Sequence, residues 1–212
     1  IRVGVIGVNG MGWSDLNALL KQDGVICTAL CDVDQNILSK RAKELQDRNI
    51  KVATYVDYKK MLSSPDVDAV IIGTPDHWHC LQMIDAVNAG KHIYVEKPIG
   101  NSIRECQLML QAATKNNAIV QVGQWQRSQQ HFKDAIDFVH SGKLGKIRLV
   151  KAWSYLGWKN SIPIQPDEAI PAGVHYMDWL GPATKRPFNI NRFHFNFRWF
   201  WDYAGGLMTD WG

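Results

Sequence analysis

The chain has 212 residues, 46% of them hydrophobic and 21% charged, ordinary proportions for a globular protein with enough material for a sizeable core. Twenty-four Lys and Arg against 20 Asp and Glu give a net charge of +4, too mild to imply a nucleic-acid partner. No stretch approaches the ~18 uninterrupted apolar residues of a membrane-spanning helix, and disorder, collagen-like repeats and disulfide-dependent mini-folds are also excluded.

Apolar runs alternate with helical patterns as far as residue 141. RVGVIG (2–7) reads as a buried parallel strand, followed by a helix over 11–22. VICTALCD (25–32) is a second strand, with a helix over roughly 35–48, and VATYV (52–56) a third. DAVIIGTP (68–75) is the fourth, with a helix near 78–89 closed by Gly90 as a C′ glycine. HIYVEKP (92–98) is the fifth, then a helix from Ser102 to about Asn116; AIVQVGQ (118–124) is the sixth, and a helix over 129–140 ends at Ser141-Gly142. Parallel strands need crossovers and helices cover both faces, so residues 1–141 are expected to form a doubly wound α/β domain.

The texture changes after Gly145. Residues 151–212 hold 14 of the 22 aromatic residues. KIRLVKAWSYLG (146–157) reads as a long strand, followed by a proline-punctuated loop. Between Arg192 and Trp201 the residues alternate strictly, with Phe193, Phe195, Phe197, Trp199 and Trp201 on one face and Arg192, His194, Asn196 and Arg198 on the other. That pattern predicts a half-buried strand whose polar face is either solvated or turned toward a ligand. The expected second domain, from residue 142, is an incomplete α+β unit ending at Asp210-Trp211-Gly212.

The charge excess lies entirely in residues 141–212, with 9 basic against 5 acidic groups, but no run of like charge occurs. It reads as a solvated surface with some basic groups near a pocket. Cys27, Cys31, Cys80 and Cys106 lack zinc-ligand spacing. Cys27 and Cys31 fall in one strand about 13 Å apart, so all four read as free thiols. That fits a cytoplasmic protein, or an exported one if a leader preceded Ile1.

Gly7, Gly10 and Gly12 lie in the turn between the first strand and first helix, enclosing Val8, Asn9 and Met11. Such a turn lets the backbone approach a pyrophosphate at the positive end of a helix. Asn9 takes the place of a second glycine in GxGxxG, tolerated because Asn accepts left-handed backbone and Gly10 adds freedom. Asp32 ends the second strand 20 residues beyond Gly12, where a carboxylate accepts from ribose hydroxyls and repels a 2′-phosphate; NAD is expected over NADP. Asp32 could instead cap the following helix, a role open to Asp34 as well.

Three further motifs end strands four, five and six: GTPDHWH (73–79), VEKPIG (95–100) and VGQWQR (122–127). With GVIGVNGMG (4–12) and WDYAGGLMTDWG (201–212), they resemble the glucose–fructose oxidoreductase / inositol dehydrogenase / rhizopine-catabolism (Gfo/Idh/MocA) family across essentially the whole chain. The resemblance implies an N-terminal Rossmann fold holding NAD(P) and a mostly antiparallel C-terminal sheet for substrate and homo-oligomer contacts. It also implies that Thr74, Pro75 and His79 line the nicotinamide side, with Asp76 where the family carries Asn. Glu96 and Lys97 would face cofactor and substrate, Lys97 touching the reacting hydroxyl through a cis Lys97–Pro98 bond. Arg127 would approach the substrate. Asp210, in the family pattern D-x-x-x-H, would be a catalytic-site carboxylate whose partner histidine falls at position 214. His77 and His79 bracket Trp78 without a carboxylate or cysteine pattern, so no metal is expected.

The expected activity is NAD-dependent hydride transfer from a sugar, polyol or glycoside hydroxyl carbon. The alternatives are an NAD-dependent glycosidase of the same fold, working by oxidation and elimination, and a non-catalytic NAD-binding regulator.

Overall fold

The computed structural model describes residues 1–153, 155, 157 and 160–211, which divide into two compact units, residues 1–123 with 165–212 and residues 124–164. The first unit is built on six parallel strands: β1 (Arg2–Ile6), β2 (Ile26–Cys31), β3 (Ala53–Tyr55), β4 (Ala69–Ile72), β5 (His92–Val95) and β6 (Val120–Val122). Their spatial order is β3-β2-β1-β4-β5-β6, the doubly wound order that follows when each crossover carries a helix. The helices are α1 (Met11–Leu19), α2 (Gln35–Gln46), α3 (Tyr58–Leu62), α4 (Asp76–Asn88) and α5 (Ile103–Lys115).

Side chains of one strand point alternately to the two faces, and both faces are buried. Val3 and Val5 pack with Leu16, Leu38, Leu45 and Ile71 on one side. Ile6, Val70, Ile72 and Val95 pack with Met61, Met83, Ala86 and Met109 on the other. A full burial is worth about 1.5–3 kcal/mol for each large aliphatic side chain, so the two layers hold the sheet rigid. Gly90 takes φ 74 just past α4, and Ser102 with Glu105 forms a reciprocal capping box at the start of α5. The single-turn helix α3, capped by Asp57, lies between the third and fourth strands, where the sequence pattern assigned no element because five residues are too few to show a helical period.

Residues 165–211 carry α7 (Tyr176–Leu180), two 3₁₀ turns (Ile190–Arg192 and His194–Trp199) and α8 (Leu207–Asp210). Their core joins Tyr176, Trp179, Leu180, Phe188, Phe193 and the fully buried Tyr203. The segment is tied to the end of β2 by an antiparallel bridge between Asp34 and Val174, and His175 N–H donates to the Val33 carbonyl at 2.9 Å. Trp78 Nε1 donates to the Trp179 carbonyl at 2.8 Å, and Asn101 Nδ2 to the Tyr203 carbonyl at 3.0 Å.

The expected strand over 192–201 is not formed. Its backbone closes local bonds instead: Arg192 N–H to Asn189 O at 3.0 Å, and Phe200 N–H to Phe197 O at 3.0 Å. Alternating side chains make a strand only where a neighbour takes up the backbone groups. Here no neighbouring strand stands beside them among the described residues. The 3₁₀ winding buries Phe193 and partly buries Phe197 and Phe200, and it leaves Phe195 and Trp201 exposed.

The second unit, residues 124–164, contains a 3₁₀ turn (Trp125–Ser128) and α6 (Gln130–His140). The strand expected over 146–157 is absent from its described residues; Ser154 and Leu156 lie outside them. Ile147, Leu149 and Val150 suit a strand, but no partner strand lies among the described residues of this unit to complete a ladder. No antiparallel sheet forms among the described residues of the C-terminal half.

Candidate functional site

The strand order reverses between β1 and β4, so their following loops diverge and leave a crevice at the carboxyl edge of the sheet. The turn after β1 fits there because side chains are missing. A Cβ on Gly12 would stand 2.1 Å from the Gly7 carbonyl oxygen, and one on Gly73 would stand 2.6 Å from the Gly12 Cα. The left-handed residues of the turn are Gly7 (φ 82) and Gly10 (φ 56); Asn9 is not one. Gly10 therefore supplies the freedom expected of Asn9, whose Oδ1 accepts from the Gly10 N–H at 3.1 Å.

Among α1 to α5, helix capping differs at the same place. Asp34, Asp57 and Ser102 cap α2, α3 and α5 with their side chains. α1 and α4, with Gly10 and Pro75 at their N-cap positions, have no side-chain cap. Both start at the crevice, where uncapped N–H groups are left to meet an anion. The side-chain-free cradle and open helix end fit a dinucleotide diphosphate.

Asp32 accepts from the Val8 N–H at 2.9 Å through Oδ2 and from the Asp34 N–H at 3.0 Å through Oδ1. It thus braces the glycine turn, while Asp34 takes the cap of α2. Burial raises the Asp32 carboxyl above its ordinary range, opposed by those two N–H groups. Beside it opens a cavity of about 220 Å³ between Val33, Val56, Tyr58, Trp78 and Trp179.

A second cavity, of about 380 Å³, runs from Gly7, Asn9, Gly10 and Met11 past Asp32, Thr74 and Pro75 to Glu96, Lys97 and Asp210. Lys97 follows β5 and precedes Pro98 through a cis bond. Its Nζ donates to Asp210 Oδ1 at 2.8 Å, and Arg198 Nε lies 3.4 Å from Asp210 Oδ2. A carboxylate that is almost fully buried thus meets two cations. Asp76, the first residue of α4, lines the same cavity. Burial, and next the Asp210 charge, push its carboxyl up to about 7, against Arg198 and Lys97. Glu96 is also pushed up to about 7, by burial and next by Asp15.

Lys97, Glu96, Asp210, Thr74 and Pro75 therefore share one cavity with the glycine turn. His79 does not line it. The ring is 1% exposed, with Nδ1 2.7 Å from the Pro98 carbonyl oxygen and Nε2 2.8 Å from that of Thr74. It ties together the loops that follow β4 and β5. His77 Nε2 faces the Trp179 carbonyl at 2.9 Å, and no group of three or more metal-binding side chains gathers among the described residues. Arg127 belongs to the second unit, in its 3₁₀ turn.

Asp76, Arg198 and His194 are cavity residues that the sequence left without a role. His194 Nε2 lies 3.2 Å from Asp34 Oδ2. Arg198 and His194 do lie on the polar face of the alternating segment; the signal was present, attached to the wrong backbone period.

Residues 1–124 match the family described as "Oxidoreductase family, NAD-binding Rossmann fold", and residues 148–212 its "C-terminal alpha/beta domain". Among solved structures, the chain resembles myo-inositol 2-dehydrogenase from Lactobacillus plantarum, with 31% identity and a TM-score of 0.62 over 69% of this chain and 43% of that one. It also resembles scyllo-inositol dehydrogenase from Lactobacillus casei with bound NAD(H) and scyllo-inositol, with 30% identity and a TM-score of 0.61 over 68% and 42%. An alpha-N-acetylgalactosaminidase from Shewanella oneidensis is 32% identical over 120 residues, which is 54% of this chain and 26% of that protein. The chain thus spans about a quarter of its curated relatives and under half of the solved ones. No helix among the described residues is long and apolar enough to cross a membrane. With a side-chain-free turn after β1, a carboxylate at the end of β2 and both matched segments in order, the chain belongs to the Gfo/Idh/MocA oxidoreductase family, and its first 124 residues form that family's NAD-binding Rossmann fold.

Proposed function

We propose that the protein carrying this chain is an NAD-dependent oxidoreductase that moves a hydride between the nicotinamide and a hydroxyl-bearing carbon of a sugar, polyol or glycoside. The observation that carries this reading is the Lys97–Asp210 pair at 2.8 Å, in the same cavity as the dinucleotide turn. When bound, the nicotinamide supplies the hydride acceptor. Gly7, Gly10, Gly12 and the open end of α1 hold the diphosphate, with Asn9 and Met11 beside it. Asp32 selects the unphosphorylated ribose of NAD. Thr74, Pro75 and Glu96 flank the ring, and Lys97, held by Asp210, donates to the substrate hydroxyl oxygen and fixes its orientation. Arg127 takes part in substrate binding. In this reading residue 142 begins a second domain whose antiparallel sheet builds a homo-oligomer.

A second reading is an NAD-dependent glycosidase, favoured by the names of the matched Shewanella relatives, a glycosyl hydrolase family 109 protein among them. One assay of the whole protein separates the readings. Incubation with NAD and a panel of free sugars, inositols and glycosides is expected to give stoichiometric NADH. Glycoside cleavage without NADH accumulation would select the glycosidase. Tight NAD binding with neither reaction would leave a regulator.

A further inference from the structure

We infer that His194 is a cofactor-retaining residue: it latches the segment 193–198 across the dinucleotide crevice, and NAD(H) leaves only when its contacts to Asn9 and Asp34 break. The inference needs NAD binding alone and holds whichever reaction the protein performs.

The crevice is not built by the Rossmann sheet alone. The 380 Å³ cavity is lined by Gly7, Asn9 and Gly10 of the glycine turn and also by His194, Phe197 and Arg198. Both cavities border Gly7, Asp32 and Trp179. A dinucleotide held by the turn and by Asp32 therefore has residues of the C-terminal segment beside it as well as the sheet edge. That segment is pinned at both ends. Phe193 is buried, its ring 5.3 Å from that of Trp179, and Arg198 Nε lies 3.4 Å from Asp210 Oδ2.

Next to Phe193, the His194 imidazole joins two loops of the Rossmann half. Asn9 Oδ1 accepts from the Gly10 N–H, so its Nδ2 is left to donate to His194 Nδ1, at 3.4 Å. His194 Nε2–H can then donate to Asp34 Oδ2 at 3.2 Å, while Asp34 Oδ1 accepts from the Asn36 N–H at 3.0 Å and caps α2. Each donor in this chain of contacts meets an acceptor. Asp32 already joins Val8 to Asp34 across the same gap. A ribose bound at Asp32 thus lies where the chain is spanned twice.

The backbone supports the same reading. His194 takes φ 50, a left-handed conformation uncommon in a residue with a Cβ and concentrated at ligand clamps and switch regions. With 37% of its side chain exposed, the latch can open to solvent without unpacking Phe193.

The test measures NADH dissociation from the whole protein by stopped-flow nicotinamide fluorescence, with excess ADP-ribose trapping the emptied site. His194→Ala should dissociate about ten- to a hundredfold faster, as the loss of a hydrogen bond to a charged group implies, with association no slower. His194→Asn tolerates the left-handed backbone but is too short to span both partners, and should show the same acceleration. Unchanged dissociation in His194→Ala would overturn the inference. So would faster dissociation matched by equally slower association, the mark of a damaged site, or a wild-type rate in His194→Asn, which would assign the effect to the backbone. If wild type binds no NADH, the cofactor assignment fails first, and the inference with it.

Discussion

The two ends of the cleft are made of different material. At the dinucleotide turn the working surface is backbone: Gly7, Gly12 and Gly73 pack with no room for a Cβ, and α1 starts without a side-chain cap. At the other end the surface is charge, with Lys97 and Arg198 on Asp210 and Asp76 beside them. Backbone sites are specified by what is missing and fail by steric intrusion. Ionic sites are specified by what is gathered and fail when one partner is removed. Between them, the Asp15 charge of α1 acts on Glu96.

The largest effect expected from separating the ends is on turnover. Lys97→Met should lower kcat of the whole protein about 10²–10⁴-fold while NAD affinity stays within a few-fold, as steady-state kinetics and NAD titration would show. An equal loss in both would mean that the ends act as one site. Gly12→Ala attacks the other material: its Cβ would lie 2.1 Å from the Gly7 carbonyl oxygen. We expect a loss of about 3 kcal/mol in denaturant unfolding, the upper part of the usual overpacking range, together with loss of NAD binding. Gly10→Ala meets nothing within 4 Å and should cost only the backbone penalty of about 1–3 kcal/mol for a residue held at φ 56, ψ −118.

The junction of the ends is tested by pH. The Glu96 carboxyl, at about 7 in the folded chain against 4.5 ordinarily, holds a proton that the unfolded chain has already released over that interval. Its contribution to stability is therefore full below about pH 4.5 and is lost as pH rises through 7. Relative to Glu96→Gln, wild type should lose roughly 2–3 kcal/mol between pH 5 and 8, since each pKa unit is worth about 1.4 kcal/mol. Parallel thermal melts would read this; coincident curves would place Glu96 as an ordinary carboxylate. Last, Asp32→Ala should weaken NAD binding by about 1.5–3 kcal/mol, the worth of hydrogen bonds to a charged group, and narrow the preference over NADP. An unchanged preference would remove Asp32 from ribose selection and leave it as a brace for Val8 and Asp34.

The backbone end was the more legible in the sequence. Glycines at 7, 10 and 12 and a carboxylate at the end of the second strand are local facts, and each predicted strand of 1–123 lies within a residue or three of its observed bounds. The ionic end was only half legible. Lys97 and Asp210 stood out through motifs, but Arg198 was assigned to a strand that wound into 3₁₀ turns, and Asp76 read as a departure from pattern. His79, in an equally recognisable motif, ties together the loops after β4 and β5 and does not line the cleft.

What the sequence determined by itself was therefore whatever is written within a few residues. That includes the apolar and helical runs that make a doubly wound sheet, and the glycines that empty a turn. The tertiary structure decided which polar groups face one another across 113 residues, as Lys97 and Asp210 do. It also decided whether alternating aromatics found a neighbouring strand. Ladder partners, burial and the field of opposite charges are properties of chain segments brought together from afar, and no local period encodes them.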